Sequence, residues 1–105
     1  MNRCDEKSGL SEEPHYFKLY IIKDSPRSLI ALENIKPVLE EGLGSDFTLD
    51  IIDVFESPEK AEEDKITAVP ALIRVTPKPV KRLIGDFSNI DQVRMILSIH
   101  RNKGN

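Results

Sequence analysis

Tryptophan is absent from this chain, cysteine occurs once and histidine twice. The lone Cys4 cannot close an intrachain disulfide, which suits a reducing compartment and makes a cytoplasmic setting the expectation. It sits in a polar stretch that offers neither a fixed base nor a helix dipole to generate a thiolate, so no reactive thiol is expected there. His15 and His100 are far apart in sequence and, with one cysteine, make no zinc-ligand spacing. Glycine is also sparse, and Gly42-Leu43-Gly44 lacks the third glycine and the lysine of dinucleotide and P-loop motifs. It reads as a helix-ending loop, and neither a metal nor a cofactor is expected. No stretch approaches the ~20 apolar residues of a spanning helix, and the first residues hold no apolar signal core. Membrane insertion and export are therefore not expected. Charge of one sign is lacking too: 15 basic residues stand against 18 acidic ones, so no strong field recommends nucleic acid.

What is present fits one domain, since a chain of this length buries roughly 60–70 % of its unfolded surface. Residues 1–14 have almost nothing to bury and are expected to be a flexible tail, with the domain at 15–101 and a second flexible end at 102–105. The run Tyr16 to Ile22 predicts a largely buried strand. Ser25 and Pro26 then supply a cap and a first helical residue. Leu29, Leu32, Ile35 and Leu39 mark a buried stripe, and Pro37 should disturb the last turn of a helix ending near Glu41. Phe47 to Val54 reads as a second strand, and strand-helix-strand in this order normally makes a parallel pair.

Ser57-Pro58-Glu59 repeats the capping logic for a short acidic helix. Val69 must avoid the helical region because Pro70 follows, which turns the chain into a strand over Ala71 to Val75. Thr76 to Pro79 cannot continue a ladder and predicts a turn, and Val80 to Ile84 then closes a hairpin at a sheet edge. Ser88 with Asp91 resembles a capping box opening a last helix over Asn89 to His100, with Ile90, Val93, Ile96 and Leu97 on one face. The order βαβαββα is that of a thioredoxin-like α/β fold.

A thioredoxin-like enzyme needs a thiol at the first strand-to-helix turn, where the helix N-terminus favours thiolate. That turn reads Lys23-Asp24-Ser25-Pro26-Arg27, and neither a carboxylate nor a hydroxyl can exchange disulfides. Val69-Pro70 occupies the place of the proline that faces this turn in such proteins, with its isomer undetermined by sequence. The acidic run Glu62-Glu63-Asp64 cannot converge on one cation, because consecutive helical residues point apart. Arg74, Lys78, Lys81 and Arg82 gather positive charge near the hairpin. They serve either to block edge-to-edge aggregation or to meet an acidic protein surface.

Ala61-Glu62-Glu63-Asp64-Lys65-Ile66-Thr67-Ala68-Val69-Pro70, taken with Val80 to Asn89, Phe17-Lys18-Leu19-Tyr20 and Ile52-Asp53-Val54, resembles the KaiB family of clock proteins over roughly Tyr16 to Ile99. The resemblance implies a non-enzymatic protein that binds the ring-shaped ATPase KaiC and recruits KaiA or competes with a sensor kinase. It also implies two folds of one sequence, a tetrameric ground state and a thioredoxin-like monomer in which the C-terminal half has rearranged. On that basis Lys65, Arg74, Lys81 and Arg82 are expected to be charge partners for the ATPase. The strand residues Phe47, Thr48, Leu49 and Asp50 are expected to form an edge for a second protein. The ending Arg101-Asn102-Lys103-Gly104-Asn105 departs from the acidic tail of better-known members and points to a divergent paralogue. The alternatives are a redox protein without the usual thiol pair and an orphan interaction scaffold.

Overall fold

The first strand, β1, spans His15–Ile21 in a computed structural model that describes residues 14–99. Residues 1–13 and 100–105, and with them the expected tails, Cys4 and His100, lie outside the described residues. In β1, Phe17 and Leu19 point to one face and Tyr20 to the other, and all three are fully buried, as a strand covered on both sides requires.

Helix α1 runs Pro26–Leu43. Pro26 holds its first turn as expected, but Ser25, although extended at the N-cap position, makes no side-chain capping bond. The neighbouring Ser28 is the engaged hydroxyl: its Oγ accepts the Ile22 N–H at 3.1 Å and is buried. This turns the helix so that Ser28, Ala31, Ile35, Val38 and Leu39 face the sheet and Leu29 points outward, 55 % exposed. Pro37 and Glu33, whose carbonyl it cannot serve, both lie on the exposed side of the helix. The helix therefore runs through it to Leu43. Gly44 ends it at φ 65°, giving its N–H to the Glu40 carbonyl.

Strand β2, Phe47–Asp53, lies parallel to β1 with Leu49 beside Phe17 and Ile51 beside Leu19. After the short helix α2, Pro58–Glu63, strand β3, Ala71–Thr76, pairs antiparallel with β1, and β4, Lys81–Ile84, pairs antiparallel with β3. The sheet order is β2-β1-β3-β4, which leaves β2 and β4 at the edges. The Val69–Pro70, Thr76–Pro77 and Lys78–Pro79 bonds are cis.

Helix α3, Ile90–Leu97, starts one residue later than the sequence indicated. Its cap is Asn89, whose Oδ1 accepts the Gln92 N–H at 3.1 Å, whereas the Ser88 N–H is taken by the Asp86 carboxylate. Ser98, in the left-handed region at φ 57°, stops the helix short of His100.

Two cores result. Phe17, Leu19, Leu72 and Leu83 pack against α1 and α3 on one face, and Tyr20, Ile52, Ala71 and Ile73 pack against Ala61, Ile66 and Val69 on the other. The last third of the chain is tied to α1 by Asn34 Nδ2, which donates to the Asp86 carbonyl at 2.8 Å, and by the Arg94–Glu41 ion pair.

Candidate interaction site

The first strand-to-helix turn places Asp24, at φ 72°, and Ser25 where a thioredoxin would hold its thiol. Asp53, at the end of β2, braces this turn. Its carboxylate accepts N–H bonds from Lys23 and Phe55, each at 2.7 Å, and from Glu56 at 3.2 Å. The Lys23 amide above all, aided by the other two, holds the Asp53 pKa below its ordinary 3.8. The site is thus a braced structural corner with a carboxylate and a hydroxyl in place of a thiol.

The four cations expected to act together are split by the sheet. Arg74 points to the α1/α3 side and is only 6 % exposed. Its Nη1 donates to the Leu97 carbonyl at 2.8 Å and its Nη2 to the Pro79 carbonyl at 2.9 Å. The expectation of a surface contact at Arg74 is therefore corrected: a β-strand alternates its side chains, and the inward position puts this guanidinium under the end of α3. Lys81, opposite Arg74 on β4, shares that side and is half-buried.

Lys65 and Arg82 belong to the other face and do come together. Both are exposed, and Arg82 Nη2 donates to the Asp64 carbonyl at 2.6 Å, one residue from Lys65. Lys65 itself turns the chain out of α2 at φ 55°. Beneath them, the Asp64 carboxylate accepts from the Tyr20 hydroxyl and pairs with Lys18 Nζ at 3.2 Å. Burial works against ionisation of Asp64, but the Tyr20 and Lys18 bonds prevail and lower its pKa. Burial first, and then the bond to Asp64, push the Tyr20 phenol up.

Along the β2 edge, Phe47 and Leu49 turn inward, with the Phe47 ring edge-on to Phe17 at 6.4 Å. Thr48 and Asp50 are exposed, and Asp50 accepts the Tyr16 hydroxyl at 2.6 Å. Among the described residues, the outer side of β2 has no strand beside it. The polar face of β1, Tyr16-x-Lys18-x-Tyr20, organises both regions and did not emerge from the sequence reading. Its period-two polarity inside an apolar run was the available signal.

A KaiB domain matches residues 18–99 of the chain. The chain is 45 % identical over 82 residues to the circadian clock protein KaiB3 of Synechocystis sp., covering 78 % of this chain and 80 % of that one. The chain belongs to the KaiB family. It is also 40 % identical over 88 residues to the circadian clock oscillator protein KaiB of Microcystis aeruginosa, covering 84 % and 85 %. Among solved structures, the N-terminal domain of Synechococcus elongatus SasA superposes with a TM-score of 0.66 at 21 % identity, covering 82 % of this chain and 85 % of that one. Mitochondrial thioredoxin 3 of Saccharomyces cerevisiae gives a TM-score of 0.66 at 16 % identity, covering 84 % and 81 %. At these identities the two structures establish the thioredoxin-like fold alone. Among the described residues no helix is long and apolar enough to cross a membrane.

Proposed function

We propose that this KaiB-family chain is a non-enzymatic regulatory module that binds a KaiC-like ATPase ring and modulates its phosphorylation cycle. The observation that carries the reading is the pairing of a KaiB domain over residues 18–99 with a thioredoxin-like fold whose thiol position holds Asp24 and Ser25. Without a thiol the fold keeps its surfaces and loses the disulfide chemistry. Lys65 and Arg82, exposed and joined through Asp64, are the charge partners for the ring, with Lys81 on the opposite side of β4 as a lesser contributor.

The open β2 edge, through Phe47, Thr48, Leu49 and Asp50, is the place for a second protein of the KaiA type to add a strand. Competition with a sensor kinase for one surface on the ring is part of the same family reading. In this form the chain acts as a monomer, and the thioredoxin-like state dominates over any tetrameric ground state.

The test is size-exclusion chromatography of the chain mixed with the KaiC of its own organism in the presence of ATP. Wild type should co-elute with the ring, and Lys65→Glu with Arg82→Glu should weaken that complex by about tenfold or more while leaving the circular dichroism spectrum unchanged. No co-elution with any resident KaiC, or unaltered binding of the double variant, removes the ring-binding reading or its assigned surface respectively.

A further inference from the structure

The second open edge, β4, has a shape that β2 lacks. Two concavities flank it and share Arg82 and Ile84 as common walls. On the α3 side lies a groove of about 360 Å³ with an apolar floor of Leu83, Phe87, Val93 and Ile96. On the α2 side lies a dimple of about 30 Å³ formed by Ile66, Ala68, Ala71 and Ile73 beneath Lys65.

A strand laid against β4 would send alternate side chains to opposite faces of the sheet. One set would enter the large groove and the other would reach the dimple. Ile84, 63 % exposed, and Val80, 47 % exposed, border the hydrogen-bonding edge that no strand among the described residues occupies. Cations outnumber carboxylates along the edge: Lys65 and Arg82 stand at the dimple, and Arg27 and Arg82 line the groove beside Asp86. A carboxylate is therefore matched to this edge, and best to the dimple side, whose lining carries Lys65 and Arg82 with no acidic residue among them.

The geometry points to β4 as a docking edge for an extended segment of a partner polypeptide. That segment carries large apolar residues at alternate positions and, between them, a small aliphatic residue and an acidic one. It gains main-chain hydrogen bonds from β4, and specificity comes from the two concavities. The proposal does not rest on the identity of the ATPase, and it leaves β2 open, so one molecule can hold a different partner at each edge.

A short, positively charged strand also discourages self-pairing, and Lys81 and Arg82 serve that end on any reading. What protection against self-pairing does not account for is a groove and a dimple in register on the two sides of one four-residue strand.

The probes are labelled heptapeptides that alternate Leu or Phe with Val and Glu, the parent being Ser-Leu-Val-Leu-Glu-Ser-Asn. Amide NMR titration of the full chain should show saturable shifts centred on residues 80–86 and 65–68, with those of 47–51 unmoved. Ile84→Asp, at an exposed position that the fold does not need, should weaken binding about tenfold. Arg82→Glu should weaken the Glu-containing peptide and restore binding to its Lys-containing counterpart. The absence of saturable shifts, or shifts confined to 47–51, overturns the proposal. So does concentration dependence of the 80–86 shifts without peptide, which would make a second copy of the chain the occupant.

Discussion

Replacing Arg74 with methionine removes the guanidinium that joins β3 to the end of α3 and to the hairpin turn. Each of its two bonds, at 2.8 Å to the Leu97 carbonyl and 2.9 Å to the Pro79 carbonyl, has a charged donor. Such bonds are worth roughly 1.5–3 kcal/mol each, so the gross loss is about 3–6 kcal/mol. Two effects offset part of it: methionine keeps an apolar stem in place, and the variant no longer desolvates a cation at a buried position. A net destabilisation of about 2–4 kcal/mol results. For a domain of this size that lowers the thermal midpoint by roughly 10–25 °C. Urea unfolding followed by circular dichroism measures the free energy, and hydrogen exchange locates it. The Ser98 and Ile99 amides, bonded to the Met95 and Arg94 carbonyls, should lose protection first. Arg74→Lys, a point charge without the planar fork, should fall between the two. A change below about 0.5 kcal/mol would refute the joint, because only surface substitutions away from such features are that mild. A contact role predicts the reverse pattern, with stability kept and ATPase binding lost.

Two further outcomes follow from the backbone and from Asp53. Because the Asp53 pKa is lowered on folding, its contribution to stability is present above the ordinary carboxylate value and is lost as pH falls through the folded-state value. Urea unfolding between pH 2 and 6 should show an acid limb that is shallower in Asp53→Asn than in wild type, and identical limbs would remove Asp53 from the account. Gly85→Ala should destabilise by about 1–3 kcal/mol through backbone strain at φ 127°, since a Cβ there would meet nothing within 4 Å. A thermal midpoint equal to wild type would show that the turn relaxes.

Element order and sheet topology were readable because the strong signals were local: the apolar run of β1, Pro26 and Pro58 at helix starts, Pro70 at the entry to β3, and the Pro-rich hairpin turn. The misplacements came from choices between near-equal local options that tertiary contacts decided. Leu29 and Ser28 each begin a stripe that continues through Leu32 or Ala31 to Ile35 and Leu39. The bond from the Ile22 N–H to Ser28 selects the second stripe, and no propensity could announce it. Ser88 and Asn89 are both competent caps, and the Asp86 carboxylate settles the matter by taking the Ser88 N–H. Arg74 looked like a member of a surface cluster because basic residues close in sequence look clustered. Strand alternation puts it on the opposite face from Arg82, and the need of the Leu97 carbonyl for a donor keeps it buried there.

The same joint bears on the two edges of the sheet in different ways. β2 pairs with β1 and packs through Phe47 and Leu49 on the core around α1, so its edge does not depend on α3. The groove beside β4 takes its floor and rim from Val93, Ile96, Asn89 and Gln92, so it exists only while α3 is docked. Loosening α3 by Arg74→Met in mild urea should therefore abolish peptide capture at β4 before the β2 pairing with β1 melts. Parallel loss of both would mean that the sheet unfolds as one cooperative unit and that the edges cannot be controlled separately. Sequential loss would make the docking of α3 the element that decides whether the chain presents one edge or two.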